Sequence, residues 1–126
     1  MGSVKNLSII EEPTEGKSGS GFFEFSDRYS VFDWGEMPDH ITDKGASLAI
    51  ITSHFFEILK KRGIPNHYLG AVVDGKTIDF SKVDRPFNKI KVKLVRVVRP
   101  ERKNGAYDYS AYKKVTRNFL LPMECI

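Results

Sequence analysis

Apolar positions recur along this chain in two rhythms, one close to the helical period and one alternating. The clearest helical run spans residues 46–62, where Leu48, Ile51, Phe55, Ile58, Leu59 and Arg62 share a stripe and Lys60 and Lys61 lie off it. Asp43 is placed to cap the start and Gly63 to take the left-handed stop, with Pro65 just beyond. Strands flank this helix. VKNLSII (4–10) predicts the first, closed by the turn-rich EEPTEGKSGSG, and FFEF (22–25) predicts a short aromatic second. HYLGAVVDGKTIDF (67–80) predicts a hairpin turning on Asp74-Gly75, whose residues tolerate positive φ. In KIKVKLVRVV (89–98), Lys91 and Lys93 alternate with Ile90, Val92 and Leu94, a half-exposed strand that grows more apolar toward Val98.

Two segments are less regular. Residues 26–45 hold an apolar patch at 29–34 inside loop-like sequence, and a connection that long is functional or hides a short strand. Residues 100–114 read as a polar, tyrosine-bearing loop or ribbon, and FLLPMECI (119–126) closes the chain. The order predicts an α+β fold: a mainly antiparallel sheet with one principal helix packed on it. No repeat, low-complexity tract or linker divides the sequence, so a single domain over residues 1–126 is expected.

Composition narrows the classes. At 126 residues, 40% apolar and 29% charged, the chain can bury one core and is ordinary for a globular protein. No apolar run approaches the roughly 20 residues a membrane-crossing helix needs, and the start lacks the pattern of a signal peptide. The lone Cys125 cannot form an internal disulfide; a reducing, cytoplasmic setting and an inert core position are expected for it. The net charge of +4 is uneven. Acidic residues dominate through residue 58, and basic ones lead from Lys60 onward, notably Lys89, Lys91, Lys93, Arg96, Arg99, Arg102 and Lys103. Such a half attracts nucleic acid or small anions, unless it is only a solvated face.

Three sets of residues can carry chemistry. In EGKSGSGFF (15–23), Gly16, Gly19 and Gly21 let backbone approach an anion, and Lys17 offers a point charge for phosphate. Neither the P-loop nor the dinucleotide pattern is present; strand, glycine turn, strand is how a kinase-type lid covers phosphates. A flexible hairpin tip would look similar. In residues 26–45, Asp27, Arg28, Ser30, Asp33 and Lys44 gather charge around aromatics, as a binding cleft or a salt-bridged loop does. His40, His54 and His67 are far apart and form no metal-ligand spacing, so no metal site is assigned.

Together these stretches resemble SAICAR synthetase, the phosphoribosylaminoimidazole-succinocarboxamide synthase family of purine biosynthesis. EGK (15–17) looks like the opening of its ATP-phosphate loop, SDRYSVFD (26–33) is similar to its Asp-Arg-x-Ser-Ala-Phe-Asp stretch, and DKGASLAIITSHFFEIL (43–59) resembles its Lys-Gly turn and helix. LLPMECI (120–126) looks like the start of its apolar-apolar-Pro-apolar-Glu signature. The resemblance implies a kinase-like N-terminal lobe of an ATP-dependent ligase that joins aspartate to carboxyaminoimidazole ribonucleotide. It implies ATP contacts at Lys17, Gly19 and Gly21, an adenine hinge at Met123 and Glu124, and substrate contacts at Arg28, Ser30, Asp33 and Lys44.

Two departures bear on that expectation. SGSGFFEF follows the Gly-Lys at once, which shortens the phosphate lid and points to a divergent branch. The family's later arginine and Asp-x-Lys-x-Glu-Phe-Gly motif are not in residues 1–126, so the resemblance implies Mg2+ ligands and a C-terminal lobe beyond residue 126, and the isolated chain is expected to be inactive. Other readings are a non-catalytic pseudoenzyme or interaction domain, and a single-stranded nucleic-acid module using residues 89–99 with Tyr107, Tyr109 and Tyr112. A homo-oligomer stays open.

Overall fold

The computed structural model describes residues 4–14, 17–96 and 100–108. Near the N-terminus, β1 (Lys5–Glu11) and β2 (Gly19–Phe25) form an antiparallel hairpin. Three later strands, β5 (Tyr68–Val73), β6 (Lys76–Ile78) and β7 (Lys89–Leu94), complete a sheet in the order β1-β2-β7-β5-β6, with every neighbouring pair antiparallel. Asp74 and Gly75, with φ of 49° and 75°, make the tight turn between β5 and β6 that their identities predict. Between the two halves of the sheet lie a two-stranded ribbon, β3 (Arg28–Val31) and β4 (Gly35–His40), and the helix α1 (Lys44–Lys61). A second small ribbon, β8 (Glu101–Lys103) and β9 (Ala106–Asp108), turns on Asn104-Gly105.

The alternation in β7 sets which way the sheet faces. Ile90 and Val92 are fully buried, and the register pairs them with Phe23 and Gly21 of β2 and with Ala71 and Tyr68 of β5. These residues share one face, and α1 packs on it through Ala49, with Phe25 and Phe87 closing the core. Lys89, Lys91 and Lys93 take the opposite face, where Lys89 pairs with Glu24 of β2 at 3.7 Å. Phe56 of α1 stacks on Tyr68 with ring centroids 5.7 Å apart, tying the helix to β5.

The helix itself differs from its sequence pattern. Its buried residues are the small ones, Gly45, Ala49 and Ser53, spaced four apart, with Leu48 and Phe56 partly buried beside them, while Ile51 and Phe55 stay 53% and 61% exposed. Small side chains let the helix backbone approach the sheet: a Cβ on Gly45 would stand 2.5 Å from the Phe25 carbonyl oxygen. Close approach through these residues leaves Ile51 and Phe55 of the predicted stripe facing outward. The helix ends as predicted, with Gly63 at φ 71°, its N–H donating to the Lys60 carbonyl and the Ile64 N–H to that of Leu59. Its start does not. Asp43 adopts a left-handed conformation and makes no side-chain cap. Finally, the irregular segment 26–45 does hide strands, β3 and β4, joined by a 3-10 turn at Phe32–Trp34.

Candidate functional site

Lys17, Gly19 and Gly21, the residues expected to meet phosphate, lie on the β1–β2 hairpin. Its tip is closed by Thr14 and Lys17, which exchange backbone hydrogen bonds of 3.0 and 3.3 Å. The Lys17 ammonium donates to the Glu11 carboxylate, and both side chains are exposed. This hydrogen bond, reinforced by the opposite charges, holds Glu11 below the usual carboxylate range and Lys17 above the usual amine range. An incoming phosphate would therefore compete with Glu11 for that cation.

Gly19 and Gly21 are strand residues: β2 begins at Gly19, three positions before the aromatic run predicts, and neither glycine has a positive φ. Their need is for close approach. A Cβ on Gly19 would overlap the Glu11 carbonyl and come 2.6 Å from the Pro13 nitrogen, so the hairpin tip folds back over it. A Cβ on Gly21 would stand 2.7 Å from the Ser8 carbonyl and 3.0 Å from a methyl of Leu94.

That geometry exposes residues the sequence patterns did not single out. Leu7 pairs with Phe23, Ile9 with Gly21 and Leu94 with Gly19, so all three lie on the face that carries α1. The helix covers Phe25, Ile90 and Val92, whereas Leu7 and Ile9 are about half exposed. The result is an apolar floor of half-exposed Leu7 and Ile9 with Leu94, itself packed against the core, and Gly21 keeps it shallow. Alternation on β1 and β7 hinted at these positions, but only the strand register tells which face each joins.

At the other end of β2, about 20 Å away at ~3.3 Å per residue, a joint gathers Asp27, Arg28 and Lys44. The Asp27 carboxylate caps the helix: Oδ1 accepts from the Gly45 N–H at 2.8 Å and Oδ2 from the Asp43 N–H at 3.2 Å. The Lys44 ammonium returns across the same gap, donating to the carbonyls of Ser26 at 2.8 Å and Arg28 at 2.7 Å. The Arg28 guanidinium donates to Asn6 Oδ1 at 2.9 Å and to Glu36 at 3.3 Å. A shallow cleft of about 240 Å³ opens here, lined by Asp27, Asp43, Ala46, Pro86, Phe87 and Asn88. Ser30 is exposed on β3 opposite Glu36, and Asp33 is exposed at the ribbon tip between Phe32 and Trp34.

The sequence-predicted residues thus fall into groups. Arg28 and Lys44 meet at the joint, Ser30 and Asp33 continue along the ribbon, and Lys17, Gly19 and Gly21 belong to the hairpin. Met123 and Glu124, the expected hinge, and Cys125 lie outside the described residues. Among the described residues no three His, Cys, Asp or Glu side chains are grouped to hold a metal ion. No described helix is long and apolar enough to cross a membrane. His67 sits instead in an aromatic contact, edge-on to Phe56 at 4.8 Å and Phe23 at 6.2 Å, where burial and the nearby Lys5 charge push its pKa down.

Comparison with known proteins fits this geometry. The SAICAR synthetase family model matches residues 13–118. An Archaeoglobus fulgidus protein named "Putative phosphoribosylaminoimidazole-succinocarboxamide synthase" is 54% identical over 126 residues, covering 100% of this chain and 37% of its own length. The phosphoribosylaminoimidazole-succinocarboxamide synthase of Thermoplasma acidophilum is 41% identical over 64 residues, 51% of this chain and 21% of its own. Among solved structures, a type-2 SAICAR synthetase in complex with ADP aligns with a TM-score of 0.52 and 24% identity over 74% of this chain and 31% of that one, a likeness of fold. The chain therefore spans little more than a third of the Archaeoglobus relative's length, and it belongs to the SAICAR synthetase family.

Proposed function

We propose that this chain is the nucleotide-binding N-terminal lobe of an ATP-dependent ligase that joins aspartate to carboxyaminoimidazole ribonucleotide. The observation that carries the reading is the apolar floor of half-exposed Leu7 and Ile9 with Leu94, on the hairpin that bears Gly19, Gly21 and Lys17, in a chain of this family. A flat apolar floor suits a purine ring, and a folded-back tip with one cation suits the phosphates attached to it.

ATP, when bound, supplies the phosphoryl group that activates the substrate carboxylate for attack by an amine. The chain's own part is to bind and orient. Leu7, Ile9 and Leu94 desolvate the base, Gly21 leaves room for it, and Lys17 leaves Glu11 to meet phosphate. Lys17 gains most when neighbouring water is excluded, because a charge-assisted hydrogen bond strengthens as the local dielectric falls. Arg28, Ser30 and Asp33 extend from the far end of β2 and are assigned to the ribonucleotide and amino-acid substrates. Mg2+ belongs to the same reading; among the described residues no three His, Cys, Asp or Glu side chains are grouped to hold it. A cytoplasmic setting follows from the proposed chemistry.

The test is titration of a non-hydrolysable ATP analogue into protein expressed from its complete reading frame. Binding in the micromolar range, weakened at least tenfold by Leu94→Glu, is expected. A folded protein that gives no binding signal overturns the nucleotide assignment. Mass spectrometry of a mixture with ATP, carboxyaminoimidazole ribonucleotide and aspartate then checks the product.

A further inference from the structure

The joint at the end of β2 is built differently from a binding cleft. The Lys44 ammonium is half-buried and directs two of its three protons to backbone carbonyls, those of Ser26 and Arg28. Asp27, between those two residues, sends both carboxylate oxygens the opposite way, to the N–H groups of Asp43 and Gly45 at the helix start. The Ile41 N–H adds a bond to the Asp27 carbonyl at 2.9 Å. On the other side, the Phe25 N–H donates to the Asn88 carbonyl at 2.7 Å, while the Asn88 side chain donates back to the Phe25 carbonyl at 3.3 Å. The chain at 25–28 is thereby clamped from the helix on one side and from the approach to β7 on the other. Gly45 completes the clamp, since any Cβ there would collide with the Phe25 carbonyl.

We infer that Asp27 and Lys44 are positioning residues, and that Lys44 acts on substrate through Arg28 and Ser30 rather than by touching it. The reciprocal bonds cross between the helix and the strand in both directions, so neither element can shift without breaking charge-assisted contacts. The start of β3 is held in one place, and the side chains of Arg28 and Ser30 leave it from a fixed backbone. This role rests on the proposed assignment of Arg28 and Ser30 to substrate, while the clamp itself rests only on the distances above. With two protons held by the carbonyls of Ser26 and Arg28, the ammonium keeps a single proton for any further partner, and its main hold is on the backbone.

The experiment uses Lys44→Met, Lys44→Arg and Asp27→Asn in protein from the complete reading frame, with two independent readouts. Amide hydrogen exchange reads the clamp: exchange at residues 26–31 and 43–46 is expected to accelerate at least tenfold in Lys44→Met and to recover in part in Lys44→Arg. Unchanged exchange overturns the inference. Steady-state kinetics read the consequence. In Lys44→Met the KM for the carboxylate and amine substrates is expected to rise at least tenfold, while kcat falls less than threefold and ATP-analogue affinity is unchanged. A hundredfold loss of kcat with unmoved KM and an altered pH profile would instead place Lys44 in direct contact with the reacting groups. Should Lys44→Met not fold, Asp27→Asn, which keeps one acceptor oxygen, decides by the same measurements. If the wild-type protein shows no turnover, the ligase reading fails, and the exchange measurements still decide whether the clamp exists.

Discussion

Single residues do sharply defined work in this fold. Gly21 lies where β1, β2 and β7 come together, and a methyl group there meets the Ser8 carbonyl and the Leu94 side chain. Because one of those neighbours is backbone, relief requires β1 to move. Gly21→Ala is expected to lower stability by about 1–3 kcal/mol and to weaken ATP-analogue binding, read by thermal melts and titration. A variant that melts and binds like wild type would remove Gly21 from the site. His67 gives a pH dependence of known sign. Burial and the Lys5 charge favour its neutral form in the folded state, so its folded pKa lies below the ordinary histidine value of 6.5. The unfolded chain binds the proton more readily, so stability is full above about pH 6.5 and falls as pH drops from there toward the folded pKa. Urea midpoints at pH 7.5 and 5.0 should differ more for wild type than for His67→Phe.

At the scale of elements, local patterns foretold most of the fold. β1, the β5–β6 hairpin with its Asp74-Gly75 turn, the alternation of β7 and the Gly63 stop of α1 all depend on neighbours within a few residues. What escaped was non-local. Asp27 caps a helix that begins seventeen positions later, and nothing in the intervening residues marks it as the partner of Gly45. The outward turn of Ile51 and Phe55 follows from close backbone approach at Gly45, which a count of apolar side chains cannot register. The same limit applied to the site. Lys17 was legible as a cation after glycine, whereas the floor of Leu7, Ile9 and Leu94 needed the register of three strands. Two substitutions separate these effects. Asp27→Ala removes two acceptors from the helix start and should cost about 1–2 kcal/mol. Phe55→Ser, on the exposed stripe, should change stability by less than about 0.5 kcal/mol. Equal losses in denaturant unfolding would show that the helix packs by its bulky stripe after all.

Across the whole molecule, stability concentrates in the layer between α1 and the sheet. Ile90 is fully buried among Phe25, Ala49, Ala71 and Phe87, and truncation to alanine should cost about 2–5 kcal/mol, enough to threaten a chain of this size. Calorimetry of Ile90→Ala against Phe55→Ser would map where that stability resides. The chain holds one tryptophan, Trp34, and it stands 82% exposed at the tip of the β3–β4 ribbon, beside a Phe32 that is 99% exposed. Its emission is therefore a built-in optical reporter on the ribbon and nearly blind to the core. Unfolding followed by intrinsic fluorescence should show only a small spectral shift, even as circular dichroism records loss of the sheet. Any molecule that settles on the ribbon tip should announce itself by a blue shift and by protection from a water-soluble quencher.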